Sequence, residues 1–334
     1  MAVIMGTKIV APYLWGWIAD HRGNRLLIIR IGAVLAALGY AAIFISNTFW
    51  WLFGVLLVFS FFWNAILPQF EALTFNHLDK SEHQYSWVRM WGSLGFIAAV
   101  TIMGMVLSSV SIRYLPVVVL ILLFGIALST FLISEHSGIK QETGHQPLTH
   151  ILKNKQVIAL LLACLLVQAS HGPYYTFYSI YAEAHGYGKS FIGILWALGV
   201  LSEVIAFALM PWLLKRFGLR TLLLASLFSG SLRWLLIGFF IDNIYITTFA
   251  QLFHASTFGI YHAVAIAYIH RYFKGKNQGK GQALYSSLSF GMGGALGSLY
   301  GGYLWESAGA SMTFTLAAVI SLMAFVISWR YTQN

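Results

Sequence analysis

Three ionisable side chains in the second half of the sequence lie within apolar runs. Glu203 lies within the apolar run LGVLSEVIAFALM, and Arg233 lies midway along the next apolar run. His254 follows on the run after that, with Gln251 about one helical turn before it. An ionisable side chain at the centre of a bilayer costs about 3 kcal/mol on insertion scales, so each one calls for a reason. We predict that Glu203 carries a proton, with Arg233 and His254 as its partners; the alternative is a structural Glu203–Arg233 salt bridge.

A second set of polar side chains recurs every three or four residues, which places it on one face of a helix. Its members are Gln168, His171, Tyr174, Tyr178 and Tyr181, with Tyr175 beside them. Anchoring at the membrane interface accounts for Tyr181, but not for Gln168 and His171, which lie two to four turns deeper. The pattern predicts the lining of a substrate cavity.

Two further ionisable residues lie in the first half. Glu71 lies just after Pro68, and Arg89 lies in the next apolar segment at a similar depth, so the two could pair across a short loop. A structural salt bridge and a role in binding or gating are both open. Trp91, Trp196 and Trp234 lie beside the buried charges. They would stack on a flat ring of a substrate or simply pack in the core.

Composition determines the class of protein that must position these residues. The 334-residue chain is 59% hydrophobic and 9% charged, with a mean hydropathy of +0.74. Soluble domains have about 25% charged residues, so soluble enzymes, disordered proteins and free nucleic-acid binders are excluded. Apolar stretches such as 115–133 do not alternate with polar residues as a β-barrel requires. We therefore predict an all-α membrane protein. Cys164 is the single cysteine, which excludes an intrachain disulfide and a cysteine metal cluster, and we expect no cofactor or metal ion.

The apolar blocks predict about eleven transmembrane helices, because each crossing needs roughly 20 apolar residues. The predicted segments are 1–19, 25–46, 48–72, 85–109, 112–134, 155–182, 188–213, 219–240, 243–269, 280–304 and 308–330.

Lysines and arginines predict the orientation. Nearly all of them fall in one set of alternate loops, and the opposite set holds only Arg113 and Lys189. The formal net charge of +10 therefore reflects membrane topology rather than affinity for nucleic acid. We predict a multi-pass protein of the inner (cytoplasmic) membrane with a cytoplasmic C-terminus.

The longest polar stretch, 134–155, divides the chain into five segments before it and six after it. We predict an N-terminal half at 1–134, a cytoplasmic central loop at 135–154 and a C-terminal six-helix half at 155–334. The sequence GWIADHRGNR, which ends at Arg25, has a degenerate copy, PWLLKRFGLR, which ends at Arg220. If the halves are parallel repeats, the first is short of one helix at its N-terminus.

A family resemblance rests on these motifs. The pattern formed by Gly16, Asp20, Gly23 and Arg25 resembles the signature of the major facilitator superfamily, in which such residues latch the two halves on the cytoplasmic side. The stretches RMWGS, WxxGxxxE, RW and QxxH narrow the resemblance to the phenylpropionate permease branch, a relative of the proton-coupled lactose and nucleoside symporters. The resemblance implies a major facilitator fold of two parallel six-helix halves, with the first helix apparently missing here.

The resemblance also implies a function. It implies a secondary active transporter of a small organic solute that works by alternating access and proton symport. An aromatic carboxylate such as phenylpropionate is the expected substrate, held by Arg89 or Arg233, and a sugar or nucleoside is the alternative. In the lactose permease a carboxylate that takes the proton follows such a histidine by three residues. Here that position is Thr257, which moves the role to Glu203, Glu71 or His254.

Other functional classes fit less well. A membrane-embedded enzyme would need a nucleophile or metal constellation, and no HExxH or GxSxG motif occurs. A sensor or scaffold would usually add a soluble domain. We expect a monomer in the lipid bilayer, whose partners are the small-molecule substrate and protons. The glycine-rich stretch 291–302 predicts close helix packing or a bend used in rocking.

Overall fold

The computed structural model describes residues 1–22, 24–77, 82–134, 149–274 and 277–332, and these contain helices and no strands. The helices are α1 (Ala2–Arg22), α2 (Arg25–Ala41), α3 (Phe49–His77), α4 (Glu82–Ser109), α5 (Leu115–Ser129), α6 (Thr149–Leu152), α7 (Lys155–Ala184), α8 (Lys189–Phe240), α9 (Ile244–Leu252), α10 (Tyr261–Tyr272), α11 (Gln278–Ser286) and α12 (Gly294–Tyr331). Short 3-10 turns follow α2 and α5, and π-helical segments join α9 to α10 and α11 to α12.

Two of the helical stretches are too long to be single membrane crossings. Residues 189–240 and 280–331 each form an apolar stretch of 52 residues, which at 1.5 Å per residue measures about 78 Å. Each breaks at one glycine in the left-handed region, Gly218 (φ 74°) and Gly309 (φ 81°). Glycine tolerates a positive φ because it has no Cβ, so each break ends one crossing and begins the next.

The number of crossings agrees with the sequence prediction. Nine helical stretches among the described residues are long and apolar enough to span a membrane, and dividing two of them gives eleven. The predicted and observed boundaries differ by a few residues at most ends, as expected where helices fray. The predicted segment 243–269 is one crossing built from α9, a π segment at Ala255–Ile260 and α10.

The described contacts divide the chain into two compact units. Unit 1 comprises Val3–Gly92 and Val110–Thr143 together with Met1; unit 2 comprises Ser93–Ser109 and Gly144–Asn334 together with Ala2. In unit 1 the core lies between α2, α3 and α5. Its buried side chains are Ala36, Ala37, Tyr40, Phe59 and Leu123.

Unit 2 is organised around α7, which packs along α12 and the π segment before it. Glycine makes this approach possible: a Cβ on Gly297 would lie 2.3 Å from the carbonyl oxygen of Ala169, and a Cβ on Gly172 would lie 2.2 Å from the backbone of Gly297. Close packing is therefore the role of the glycine-rich stretch, as in other membrane helix pairs with small residues at the contact. The contact fixes the inward face of α7, which carries the polar stripe.

Candidate functional site

The centre of unit 2 is the guanidinium of Arg233, which is completely buried on α8. Its Nη1 donates to Thr257 Oγ1 at 3.0 Å and lies 3.1 Å from His254 Nδ1. Its Nη2 donates to Gln251 Oε1 at 3.2 Å, and the same oxygen accepts from the hydroxyl of Tyr174 at 2.7 Å. The predicted cation thus lies in a dense set of acceptors supplied by the crossing at 244–272, which reduces the cost of its burial.

His254 links Arg233 to Glu203. A guanidinium has only donors, so His254 Nδ1 must accept from it, and the proton of the neutral imidazole lies on Nε2. That nitrogen lies 3.3 Å from Glu203 Oε2, on the opposite side of the ring. The described connection between the two charges therefore runs through the imidazole.

Glu203 is the more accessible end of this connection. Its side chain is 14% exposed, whereas that of His254 is 7% exposed and that of Arg233 is fully buried. A second proton on His254 would place an N–H against the guanidinium, so the imidazole stays singly protonated while the Arg233 contact exists. Of the three groups, the Glu203 carboxylate is the one that can take up a proton without breaking that contact.

Local backbone features bring these helices together. The π segment Ala255–Ile260 follows His254 directly and carries Thr257 towards Arg233. Gly259 lies in the same segment, where a Cβ would lie 3.1 Å from Cγ of Glu203, so a larger residue would displace the Glu203 side chain. Single π turns inside α-helices are frequent at functional sites, because they shift the following side chains around the helix.

Aromatic rings form one wall of the site. The Arg233 guanidinium lies 4.3 Å from the ring centroid of Tyr174 and 5.0 Å from that of Trp234, both within cation–π range. The ring of Trp196 lies 4.7 Å from that of Tyr174 and 5.7 Å from that of Tyr178. Two of the three predicted tryptophans therefore lie in the aromatic wall.

The predicted stripe on α7 faces the interior of unit 2. All five of its members are buried, and the His171 ring meets the Trp234 ring edge-on at 4.8 Å. Several buried polar atoms on or near this wall have no hydrogen-bond partner among the described residues. They are Gln168 Nε2, His171 Nε2, Tyr178 OH, Arg233 Nε and Gln251 Nε2. Buried polar groups are nearly always paired in folded proteins, so this concentration makes the wall a candidate binding site.

The predicted residues of unit 1 are spread more widely. Glu71 is partly buried near the end of α3, and Trp91 is 71% exposed on α4. The Arg89 side chain lies outside the described part of the structure, so the predicted Glu71–Arg89 pair is not tested.

The predicted latch motif is described only in part. Arg25 Nη1 donates to Gln69 Oε1 at 2.6 Å, and a Cβ on Gly16 would lie 3.6 Å from Nε2 of the same glutamine. Gln69 therefore joins both ends of the motif to α3. Gly23 and the side chain of Asp20 lie outside the described residues.

Comparison with known sequences decides the family. Residues 1–316 match the sequence profile of the MFS_1 like family. The chain belongs to this family. The resemblance to major facilitator transporters inferred from the motifs is thereby confirmed, and this MFS_1 like chain is a multi-pass membrane protein.

Two curated relatives are transporters by name. A probable 3-phenylpropionic acid transporter of Escherichia coli (strain K12) is 29% identical over 332 residues, covering 96% of this chain and 86% of that protein. The maltose permease of Geobacillus stearothermophilus is 27% identical over 327 residues, covering 95% of this chain and 81% of that protein. The MFS_1 like chain is accordingly a secondary transporter.

A solved structure shows the same fold. The crystal structure of the nucleoside transporter NupG matches 99% of this chain and 89% of its own with a TM-score of 0.83 at 16% identity. The all-α major facilitator fold predicted from the sequence is thus confirmed.

The sequence reasoning missed one intramembrane cation of this family member. Lys8 lies in the first apolar segment. Its position alone could have identified it, because a lysine inside a membrane span is rare and marks a candidate functional site. Nearby on α3, Asn64 Nδ2 donates to Thr7 Oγ1 at 2.8 Å and to the carbonyl oxygen of Ile4 at 3.1 Å. Unit 1 therefore has a buried polar contact of its own.

Proposed function

We propose that the chain is a proton symporter in which Arg233, His254 and Glu203 form the coupling centre. The observation that carries this proposal is the continuous contact from a buried guanidinium through a singly protonated imidazole to a partly accessible carboxylate. Such a chain offers one site at which a proton can bind with little rearrangement of the fold, the carboxylate of Glu203.

The proposed cycle follows from the charges. With Glu203 ionised, the centre is neutral overall, because the guanidinium and the carboxylate balance each other across His254. Protonation of Glu203 removes the negative end and leaves one positive charge, which changes what the site attracts. Proton binding then precedes or accompanies substrate binding, and alternating access carries both across the membrane. The residues of the aromatic wall and the unpartnered polar atoms beside it form the substrate cavity.

An aromatic carboxylate is the substrate class that we favour. The relative named for 3-phenylpropionic acid supports it, and so do rings such as Tyr174, Trp196 and Trp234, on which an aromatic ring can stack. A sugar or nucleoside is the second candidate, because the same rings stack on sugars and a maltose permease is among the relatives. Uptake of a labelled panel of phenylpropionate, maltose and uridine into proteoliposomes, with and without a proton gradient, separates these classes.

Glu203→Gln tests the coupling role, since glutamine mimics the protonated carboxyl. We expect substrate binding and exchange across the membrane to survive, and accumulation driven by a proton gradient to be lost. Glu183→Gln is the matched control, because Glu183 is an exposed carboxylate whose contact is with Lys189 at 3.5 Å. It should accumulate substrate at the parent level.

A purely structural Glu203–Arg233 pairing predicts a different outcome. Removal of the carboxylate would then leave a buried cation unbalanced, expression would fall, and combining Glu203→Gln with Arg233→Gln would restore accumulation. Proton-driven uptake at the parent level by either the single or the double variant would contradict the coupling role.

We also propose the orientation and the halves that the sequence predicts: an inner-membrane monomer with a cytoplasmic C-terminus and halves at 1–134 and 155–334. The excess of lysine and arginine on one side supports this orientation. Green fluorescent protein fused after residue 334 should fluoresce, because it folds in the cytoplasm; a dark, exported fusion would reverse the orientation.

The cytoplasmic latch remains a proposal as well. Arg25 and Gly16 meet Gln69 in the structure, which supports a structural role for the motif at the cytoplasmic end of α1. Asp20→Asn should lower turnover more than substrate affinity. An equal loss of binding with unchanged conformational exchange would place Asp20 in the binding site instead.

A further inference from the structure

Lys8 lies in the interior of a membrane-spanning helix. It falls within the 18-residue apolar span Ala2–Ala19, eleven residues before Ala19, which is about 17 Å along the helix axis. Its side chain is partly buried. A lysine at such a depth is rare in membrane helices, where ionisable residues mark substrate and ion pathways.

The face of α1 that carries Lys8 points away from the apolar surface. The exposed apolar residues of this helix form one stripe, made of Ile9, Val10, Tyr13, Leu14 and Trp17. At 100° per residue, Lys8 lies about 170° from the centre of that stripe. Lysines that serve only to reach the membrane surface lie along the lipid-facing side, so a snorkelling role does not fit this position.

The ammonium group of Lys8 has no partner in the described part of the protein. None of the described residues forms a hydrogen bond or ion pair with it. Its polar neighbour Thr7 is already bonded to Asn64 at 2.8 Å, and Thr7 also donates to the carbonyl oxygen of Ile4 at 3.0 Å. The cation therefore lies on the inner face of α1, and none of the described residues supplies the acceptor that normally offsets the cost of desolvation.

A second donor on the same face is also unpartnered. The indole nitrogen of Trp15 is buried without a hydrogen-bond partner among the described residues. Trp15 follows Lys8 by seven residues, which returns to within about 20° of the same helical direction. Its ring packs against Phe61 and Phe62 of α3, so the indole is fixed in place. Two donors on one face, neither with an acceptor among the described residues, indicate a ligand that supplies acceptor oxygens.

We infer that the ammonium of Lys8 binds the carboxylate of the transported solute and so selects anionic substrates. This inference rests on the proposed function and deepens it, since it names a side chain that binds the carboxylate of the proposed substrate. The guanidinium of Arg233 is less available for that task, because both of its terminal nitrogens already donate to side chains of its own unit. Lys8 presents a cation for which the described part of the chain supplies no acceptor, and a bound carboxylate supplies one.

The test compares an acid with its neutral analogue in the full-length chain, purified and reconstituted. Binding of 3-phenylpropionate and of 3-phenylpropanamide is measured for the parent, Lys8→Gln, Lys8→Arg and Lys153→Gln. A hydrogen-bonded contact to a charged group contributes about tenfold to a hundredfold in affinity, so Lys8→Gln should raise the Kd of the acid by that factor. The Kd of the amide should stay within about twofold. Lys8→Arg should recover part of the affinity for the acid.

Lys153→Gln is the matched control, because it removes the same charge from an exposed turn before α7. It should leave both affinities unchanged. An equal effect of Lys8→Gln on acid and amide, or no effect on the acid, would overturn the inference.

Thermal stability provides a readout that does not need a substrate. Because the ammonium has no partner among the residues that the structure describes, Lys8→Gln should keep or raise the Tm. A lower Tm would show that Lys8 holds the fold together, which overturns the inference. A parent that accumulates only neutral solutes would overturn it too, while leaving the coupling role of Glu203 intact. Loss of gradient-dependence in the parent would contradict the proposed symport but not the preference for acids.

Discussion

The intramembrane cations of the two units of this transporter differ in their hydrogen-bond partners. In unit 2, Arg233 is completely buried and its terminal nitrogens meet acceptors on His254, Thr257 and Gln251. In unit 1, Lys8 faces inward without a partner among the described residues. A cation whose terminal nitrogens are paired within its own unit stabilises a fixed arrangement, whereas a cation without such partners is available to a ligand. This difference is the basis for proposing a coupling role for Arg233 and a binding role for Lys8.

The two units are alike in how an arginine side chain caps the end of a helix. In unit 1, Arg30 donates from Nε to the carbonyl oxygen of Thr130 at 3.2 Å and from Nη2 to that of Ile133 at 3.0 Å. In unit 2, Arg220 donates in the same manner to Thr332 at 2.9 Å and to Trp329 at 2.8 Å. Each arginine satisfies the last carbonyl groups at the end of a helix. The two units therefore share this kind of helix cap.

The largest effect is expected from Arg233→Gln, which tests the paired cation of unit 2 directly. Its loss removes one of the two donors to Gln251 Oε1, the donor to Thr257 Oγ1 and the charge that balances Glu203. Breaking a buried pair from one side costs about 3–5 kcal/mol, so we expect strongly reduced folded yield and no measurable uptake. Fluorescence-detected size exclusion and uptake measure the two outcomes. If Lys8→Gln proves as damaging to yield as Arg233→Gln, the contrast between the units is wrong.

Gly297→Ala is expected to have the next largest effect. The added Cβ would meet the Ala169 carbonyl at 2.3 Å and force α7 away from α12, at a cost of about 2–3 kcal/mol in the free energy of unfolding. Gly302 lies on the same helix with no atom within 4 Å of its own Cβ position, so Gly302→Ala is the matched control. We expect a lower Tm for the first variant and an unchanged or slightly higher Tm for the second. Equal melting temperatures would show that the close contact is not required.

Thr257→Val should have a moderate effect, because it removes one of the acceptors of Arg233 Nη1 while keeping the volume. Leaving a buried donor partly unsatisfied costs about 1–2 kcal/mol, which corresponds to roughly tenfold in uptake if the active arrangement is what is lost. Thr257→Ser keeps the hydroxyl and should remain near the parent. If both variants transport equally well, the threonine hydroxyl plays no part in holding the guanidinium.

The smallest effects are expected at the two caps. Arg30→Gln and Arg220→Gln each remove hydrogen bonds to helix-terminal carbonyl groups that water can partly replace. We expect each to lower stability by about 1 kcal/mol, with similar shifts in Tm. Differential scanning fluorimetry compares them. A large loss for one variant alone would show that the two arginines are not equivalent, which would weaken the structural parallel between the units.

The sequence by itself determined the class and the number of membrane crossings. Apolar runs of about 20 residues span a bilayer as helices, because a helix pairs its own backbone polar groups. In the structure, one glycine with a positive φ separates the two crossings within each of the two longest helical stretches. The same physics made Glu203, Arg233 and His254 conspicuous, because an ionisable group in an apolar run is costly wherever the chain later places it. The spacing of polar residues on α7 likewise determined which face turns inward.

Only the tertiary structure decided how these residues act together. Glu203, Arg233 and His254 are 21 to 51 residues apart, and their order in space depends on how closely α8 approaches the crossing at 244–272, which Gly259 and a π segment control. No local pattern shows that the imidazole lies between the two charges, or which of its nitrogens accepts. The sequence also did not show that Lys8 points inward, because the buried face of a helix depends on which helices pack against it. Periodicity is a local property of the chain, whereas the pairing of charges depends on which helices pack together.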